Sequence, residues 1–116
     1  RPDIVVVLDH VLMGEADVTG GLKSDGLLVI NSPCSLEAYH EKAGRVAVCN
    51  VTELSMRAGL PAGVVNTGII GAFARAADFV GLDPLLGSIE EEFDGRGAAA
   101  NVRAARLAYE HTIIGG

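Results

Sequence analysis

Apolar residues fall in three short unbroken runs along the first half of the chain and take up a helical spacing in the second half. The first run is Ile4 to Leu8, with Asp3 before it and Asp9 after it. The second is Gly26 to Ile30, closed by Asn31, Ser32 and Pro33, and the third is Arg45 to Cys49, followed by Asn50. A strand that is apolar at every position must be covered on both faces, which is the habit of parallel sheets flanked by helices. Helix-sized segments separate the runs, so they read as βαβ units with strands over residues 4–8, 26–31 and 45–50.

The connecting segments are less regular. Residues 15–24 carry Ala16, Val18 and Leu22, but the Gly20-Gly21 pair weakens the helix and predicts a short one. Leu36 to Lys42 predicts another, with Ser35 as its N-cap. After the third strand, Thr52 is placed to cap a turn through Glu53, Leu54 and Met56 that Gly59 and Pro61 end. From Asn66 to Val80, Ile69, Ile70, Phe73, Ala76, Ala77 and Val80 recur at the spacing of a helix with one buried face; Asn66 or Thr67 can cap its start. Asp83 as N-cap and Pro84 at the first position open a helix over 84–93. Its apolar stripe is Leu85, Leu86, Ile89 and Phe93, with Glu90, Glu91 and Glu92 mostly outside it. A last helix over 98–112 has Val102, Ala105 and Tyr109 on one side, with Arg103 and Arg106 off that line. Together these elements predict a three-layer, Rossmann-like α/β fold with a mainly parallel sheet and a helical C-terminal half.

Composition narrows the function classes. The 116 residues make a single α/β domain, and a chain of this size buries roughly two-thirds of the surface it exposes when unfolded. Apolar residues at 49% and charged residues at 21% are globular usage, not that of a disordered tail. Nine Lys and Arg against fifteen Asp and Glu give a net charge of -6, and the cations are scattered from Arg1 to Arg106. That is no footprint for nucleic acid. No apolar run approaches the ~20 residues that span a bilayer. The two cysteines, Cys34 and Cys49, are too few for a disulfide scaffold or a four-ligand metal site and read as two buried thiols of a cytoplasmic protein. The chain has no signal-peptide pattern; a start at Arg1-Pro2, with no Met and just ahead of a strand, reads as a piece of a longer chain.

Asp9 and His10 come directly after the first strand, and open α/β sheets bind ligands at the carboxyl ends of their strands. The plainer reading is a polar residue that leaves the sheet and caps the turn beyond it. The sequence after Leu8 is neither G-x-G-x-x-G nor a P-loop, so an independent nucleotide site has no support. His10, His40 and His111 lie far apart with no carboxylate or thiol at ligand spacing, which predicts no metal site. None of Ser32, Ser35, Ser55 and Ser88 sits in a nucleophile elbow, and no catalytic residue is assigned. The unusual stretch runs from Pro61 to Phe73. There Gly68, Gly71 and Ala72 leave one helix side bare, which lets another backbone or a ligand approach closely. Internal packing and contact with a partner are both open readings of that strip.

The succession PDIVVVLD (2–9), DVTGGLKSDGLLVINS (17–32), AVCNVTELSMRAGLPAGVVNTGIIGAFARA (47–76) and LAYEHT (107–112) resembles the gamma subunit or domain of the 2-oxoacid:ferredoxin oxidoreductases, of which pyruvate synthase is the best-known member. The resemblance covers nearly the whole chain and is most specific over Asn66 to Phe73. Family members also carry an N-terminal part with a strand and a G-x-G-G-Q-G turn, which has no match here. The resemblance therefore implies the C-terminal portion of a larger gamma domain. It implies a complex that oxidatively decarboxylates a 2-oxoacid, pyruvate by default, with CoA to give acyl-CoA, CO2 and reduced ferredoxin. Thiamine diphosphate, Mg2+ and iron–sulfur clusters belong to alpha, beta and delta subunits or domains, and ferredoxin accepts the electrons of the complex. The gamma region binds no cofactor alone and is associated with access of CoA. On that basis Asn66, Thr67, Gly68 and Gly71 are expected to face another subunit or the route to the active centre. A non-catalytic binding or scaffold domain of another complex is the alternative, and a small self-contained nucleotide-binding enzyme is a third reading.

Overall fold

A computed structural model of the chain describes residues 3–11, 25–39, 41–61, 63–77, 81–93, 95 and 97–115. The three apolar runs become β1 (Ile4–Val7), β2 (Leu27–Asn31) and β3 (Arg45–Cys49), which lie side by side and parallel. A fourth strand, β4 (Ile113–Gly115), pairs antiparallel with β3. The helices are α1 (Val51–Arg57), α2 (Asn66–Ala76), α3 (Leu82–Phe93) and α4 (Ala98–His111). The predicted helix over 15–24 lies outside the described residues, as does the end of the predicted 66–80 helix beyond Ala77.

Alternation along the strands divides the core in two. Leu27, Val29, Ala47 and Cys49 point to one face, where Val51 and Leu54 of α1, Ile69, Ala72 and Ala76 of α2, and Ala108 of α4 cover them. Leu28, Ile30, Val46 and Val48 point to the other, with Val7 and Tyr39. Among the described residues the second face has the thinner cover: the segment predicted as a helix over 36–42 is a single 3-10 turn, Leu36–Ala38, and Ser35 makes no side-chain cap bond. Tyr39 turns into the sheet, where its phenol shares a 2.6 Å hydrogen bond with Ser32, and this anchor competes with continued helix. α3 lies outermost and rests Leu86 and Ile89 on Ala105 of α4.

Helix caps differ from the sequence reading in a consistent way. Asn50, not Thr52, caps α1, its side chain accepting the Glu53 N–H at 3.3 Å. Val65 is the N-cap residue of α2 and, being aliphatic, offers no side-chain bond; neither predicted cap serves, since Asn66 is already helical and the Thr67 hydroxyl is turned to Asn101. α3 begins at Leu82, so Asp83 sits within the first turn, where its charge suits the helix dipole. The buried face of α4 is Ala98, Asn101, Ala104, Ala105 and Ala108, while Val102 and Tyr109 are half-buried at its margins. Arg75 of α2 lies 5.3 Å from the Tyr109 ring centre. Arg103 is committed within the chain, its guanidinium donating to the Ala58 carbonyl at 2.9 and 3.2 Å.

Candidate functional site

The parallel strands end together, and a cleft of about 560 Å³ opens there. Leu8, Asp9 and His10 enter it after β1, Asn31 and Pro33 at the end of β2, and Asn50 and Thr52 after β3. Gly63, Val65 and Asn66 form the remaining wall, where α2 begins. The sequence-level candidates Asp9, His10 and Asn66 thus meet in one place although 56 residues separate His10 from Asn66. Asp9 also fills the plainer role, its carboxylate accepting the Val11 N–H at 3.0 Å. Asn66 is exposed at the rim.

The other three residues of the expected interface strip are turned inward. Thr67 is buried and its hydroxyl donates to Asn101 Oδ1 at 2.7 Å. A Cβ built on Gly68 meets Val51 of α1 and comes within 2.9 Å of Ser55 Oγ. One built on Gly71 runs into the carbonyl oxygen of Ala105 and stands 2.7 Å from its carbonyl carbon. The bare strip is where α2 crosses α4 and α1, and the chain's own helices account for its small residues.

Asn31, Asn50 and Thr52 were missed as cleft residues. The rule that singled out Asp9, a polar residue just past a parallel strand, applies equally after β2 and β3 and finds them. The polar part of the lining is amides, a hydroxyl, one carboxylate and one imidazole, set among Leu8, Pro33 and Val65. Among the described residues, no group of three or more His, Cys, Asp or Glu side chains is placed to hold a metal ion, and His40 lies outside them. No described helix is long and apolar enough to cross a membrane.

A second hollow, of about 410 Å³, lies on the other side of Asn50 and takes in Cys34, Arg57 and His111. Only one of the two thiols is buried, contrary to the sequence reading: Cys34 lies on the loop after β2, where Pro33 and Ser35 beside it are exposed as well. Burial pushes the Cys49 thiol up from its ordinary value, against a smaller opposing effect of a hydrogen bond with Thr112. Cys34 is therefore expected to react with a maleimide in the native protein, and Cys49 only on unfolding. Mass analysis after brief labelling checks this, and equal labelling of both would refute it. The raised value also fixes the sign of a pH effect on stability. An unfolded thiol ionises first, so the contribution of Cys49 is full below the ordinary thiol value and declines as pH rises above it.

A profile of the pyruvate ferredoxin/flavodoxin oxidoreductase family matches residues 1–111. The common gamma subunit of the pyruvate/ketoisovalerate oxidoreductases of Pyrococcus furiosus is 39% identical over 98% of this chain and 63% of its own. Pyruvate synthase subunit PorC of Methanothermobacter thermautotrophicus is 38% identical over 95% of this chain and 59% of its own. The crystal structure of pyruvate oxidoreductase subunit PORC from Thermotoga maritima superimposes on the whole chain with a TM-score of 0.85 at 30% identity, and 66% of that subunit is matched. The chain thus spans about 60% of the length of the curated relatives. With the fold, the order of its elements and near-complete coverage in agreement, this chain belongs to the pyruvate ferredoxin/flavodoxin oxidoreductase family.

Proposed function

We propose that this chain is the gamma component of a 2-oxoacid:ferredoxin oxidoreductase working in the cytoplasm, with pyruvate as the default substrate. The observation that carries the reading is the match of nearly the whole chain to gamma and PorC subunits in both sequence and structure. Its own contribution is structural, beside the path of CoA, and the bond-making centre lies on other subunits. The residues fit that division. The strand-end cleft offers hydrogen-bonding amides and a hydroxyl, whereas an iron–sulfur cluster asks for four thiolates and this chain has two cysteines. Thiamine diphosphate, Mg2+ and the clusters are assigned to alpha, beta and delta partners, with ferredoxin as acceptor. Asn66, Asp9 and His10 are the side chains we assign to the outward face, at the rim of that cleft.

Purification of the tagged full-length protein from its own cells tests this. Partners carrying thiamine diphosphate and the brown absorbance of iron–sulfur clusters are expected, with 2-oxoacid and CoA-dependent dye reduction by the complex and none by this chain alone. A colourless protein without partners, or turnover by the chain alone, would overturn the proposal. Asn66→Arg is expected to weaken assembly or raise the KM for CoA while leaving the unfolding midpoint within experimental error, since an exposed site tolerates a long side chain.

A further inference from the structure

Asn31 ends the central one of the three parallel strands and is only 5% exposed. Its Nδ2 donates to the Leu8 carbonyl at 3.0 Å and to Thr52 Oγ1 at 2.9 Å, and its Oδ1 accepts the Thr52 N–H at 3.2 Å. Both backbone groups lie where regular structure leaves none to pair with them. Leu8 is one residue past the last β1–β2 pair, Val7 with Ile30. Thr52 is in the first turn of α1, whose N–H groups have no acceptor within the helix. One side chain therefore fastens the end of β1 and the start of α1 to the end of β2.

We infer that Asn31 is the positioning residue of the strand-end cleft, fixing Asp9, His10 and the start of α1 relative to one another through Leu8 and Thr52. Its meaning for function rests on the reading of that cleft as the outward face of a gamma component. The chemistry of the two bonds selects the residue. A carbonyl needs a donor and an N–H needs an acceptor, and a short amide supplies both. A carboxylate supplies acceptors alone, and an aliphatic side chain neither.

Hydrogen exchange and backbone chemical shifts, read residue by residue on the full-length protein, test the inference without any partner. In the natural protein the Thr52 amide is expected to exchange at least tenfold more slowly than an open first-turn amide. Asn31→Ala should remove that protection and shift the signals of Asp9 and His10, with the core amides of Val29 and Val46 unchanged. Asn31→Asp should split the effects, because the acceptor for Thr52 survives while the donor to Leu8 is lost: Thr52 stays protected and the Asp9 and His10 signals move. That split decides the matter if the alanine variant fails to fold. Loss of folding in both variants, acceleration spread evenly over β2 and β3, or an unprotected Thr52 amide in the natural protein would overturn the inference and make Asn31 a general stabiliser or a bystander. These outcomes are independent of whether the tagged protein brings partners with it, so either claim can fail alone.

Discussion

Replacing Gly71 with leucine is expected to unfold the protein, and even alanine there should be costly. Gly71 lies in the middle of α2, where its bare Cα faces the backbone of α4. A Cβ would collide with the Ala105 carbonyl oxygen and stand 2.7 Å from its carbon and 2.9 Å from its Cα. These are main-chain atoms in the middle of a 14-residue helix, so they move only if the helix moves. α4 cannot retreat freely, because Ala104, Ala105 and Ala108 are fully buried and Leu86 and Ile89 of α3 also pack against Ala105. Overpacking costs typically about 1–3 kcal/mol, and the obstruction by backbone puts leucine at or above the top of that range. Helix propensity works the other way, favouring alanine over glycine by about 1 kcal/mol, and so is too small to rescue Gly71→Ala. Gly87 provides the control. It is an exposed glycine in α3 with nothing within 4 Å of a Cβ, and Gly87→Ala is expected to leave stability unchanged or raise it by up to about 1 kcal/mol. Urea unfolding midpoints of the three variants check the argument, and a Gly71→Ala protein as stable as the natural one would defeat it.

The two inner strands were readable from sequence because burial keeps their middles apolar and confines polar residues to the ends: all five residues of β2 are buried, and so are four of the five in β3, with Asn31 and Arg45 at strand ends. β1 shows the same apolar run although it is less buried than the reading required, with Val6 exposed. The long helices were readable for the complementary reason, a one-sided apolar stripe. What the pattern could not show was which of two neighbouring polar residues would spend its side chain locally. Thr52 and Thr67 are both good caps in isolation, and both are taken by partners distant in sequence, Asn31 and Asn101. β4 was hidden because three residues after a helix carry too little signal. Ile113 and Ile114 become a strand only because β3 presents a free edge beside them. The small residues of α2 were legible as permission for close approach. The alanine face of α4, the counterpart that uses this permission, is recognisable only once the helices are set against each other. Of the cleft, Asp9 and His10 could be named from the end of one strand, whereas the amides that build its floor come from the ends of the other two.

The Thr67–Asn101 hydrogen bond should show strongly coupled energetics, because it lies one turn along the same helix crossing as the Gly71 contact. Thr67 and Gly71 are four residues apart on α2, and Asn101 and Ala105 are four apart on α4, so each pair shares a face. Thr67 and Asn101 are 5% and 4% exposed, and neither can turn to water if its partner is removed. Thr67→Val keeps the shape and leaves Asn101 Oδ1 without its 2.7 Å donor. Asn101→Leu leaves the Thr67 hydroxyl unpaired, while the Gly97 carbonyl that Asn101 Nδ2 had bonded keeps the Asn101 backbone N–H. An orphaned buried polar group costs about 1–3 kcal/mol, so each single variant is expected to lose stability in that range. Replacing both partners removes the orphan, and the double variant should be more stable than the sum of the two losses by about 1–2 kcal/mol. A double-mutant cycle of urea unfolding measures the difference directly. Additive losses would mean that the hydroxyl and the amide find other partners, and that the angle between α2 and α4 is set by the glycine–alanine contact alone.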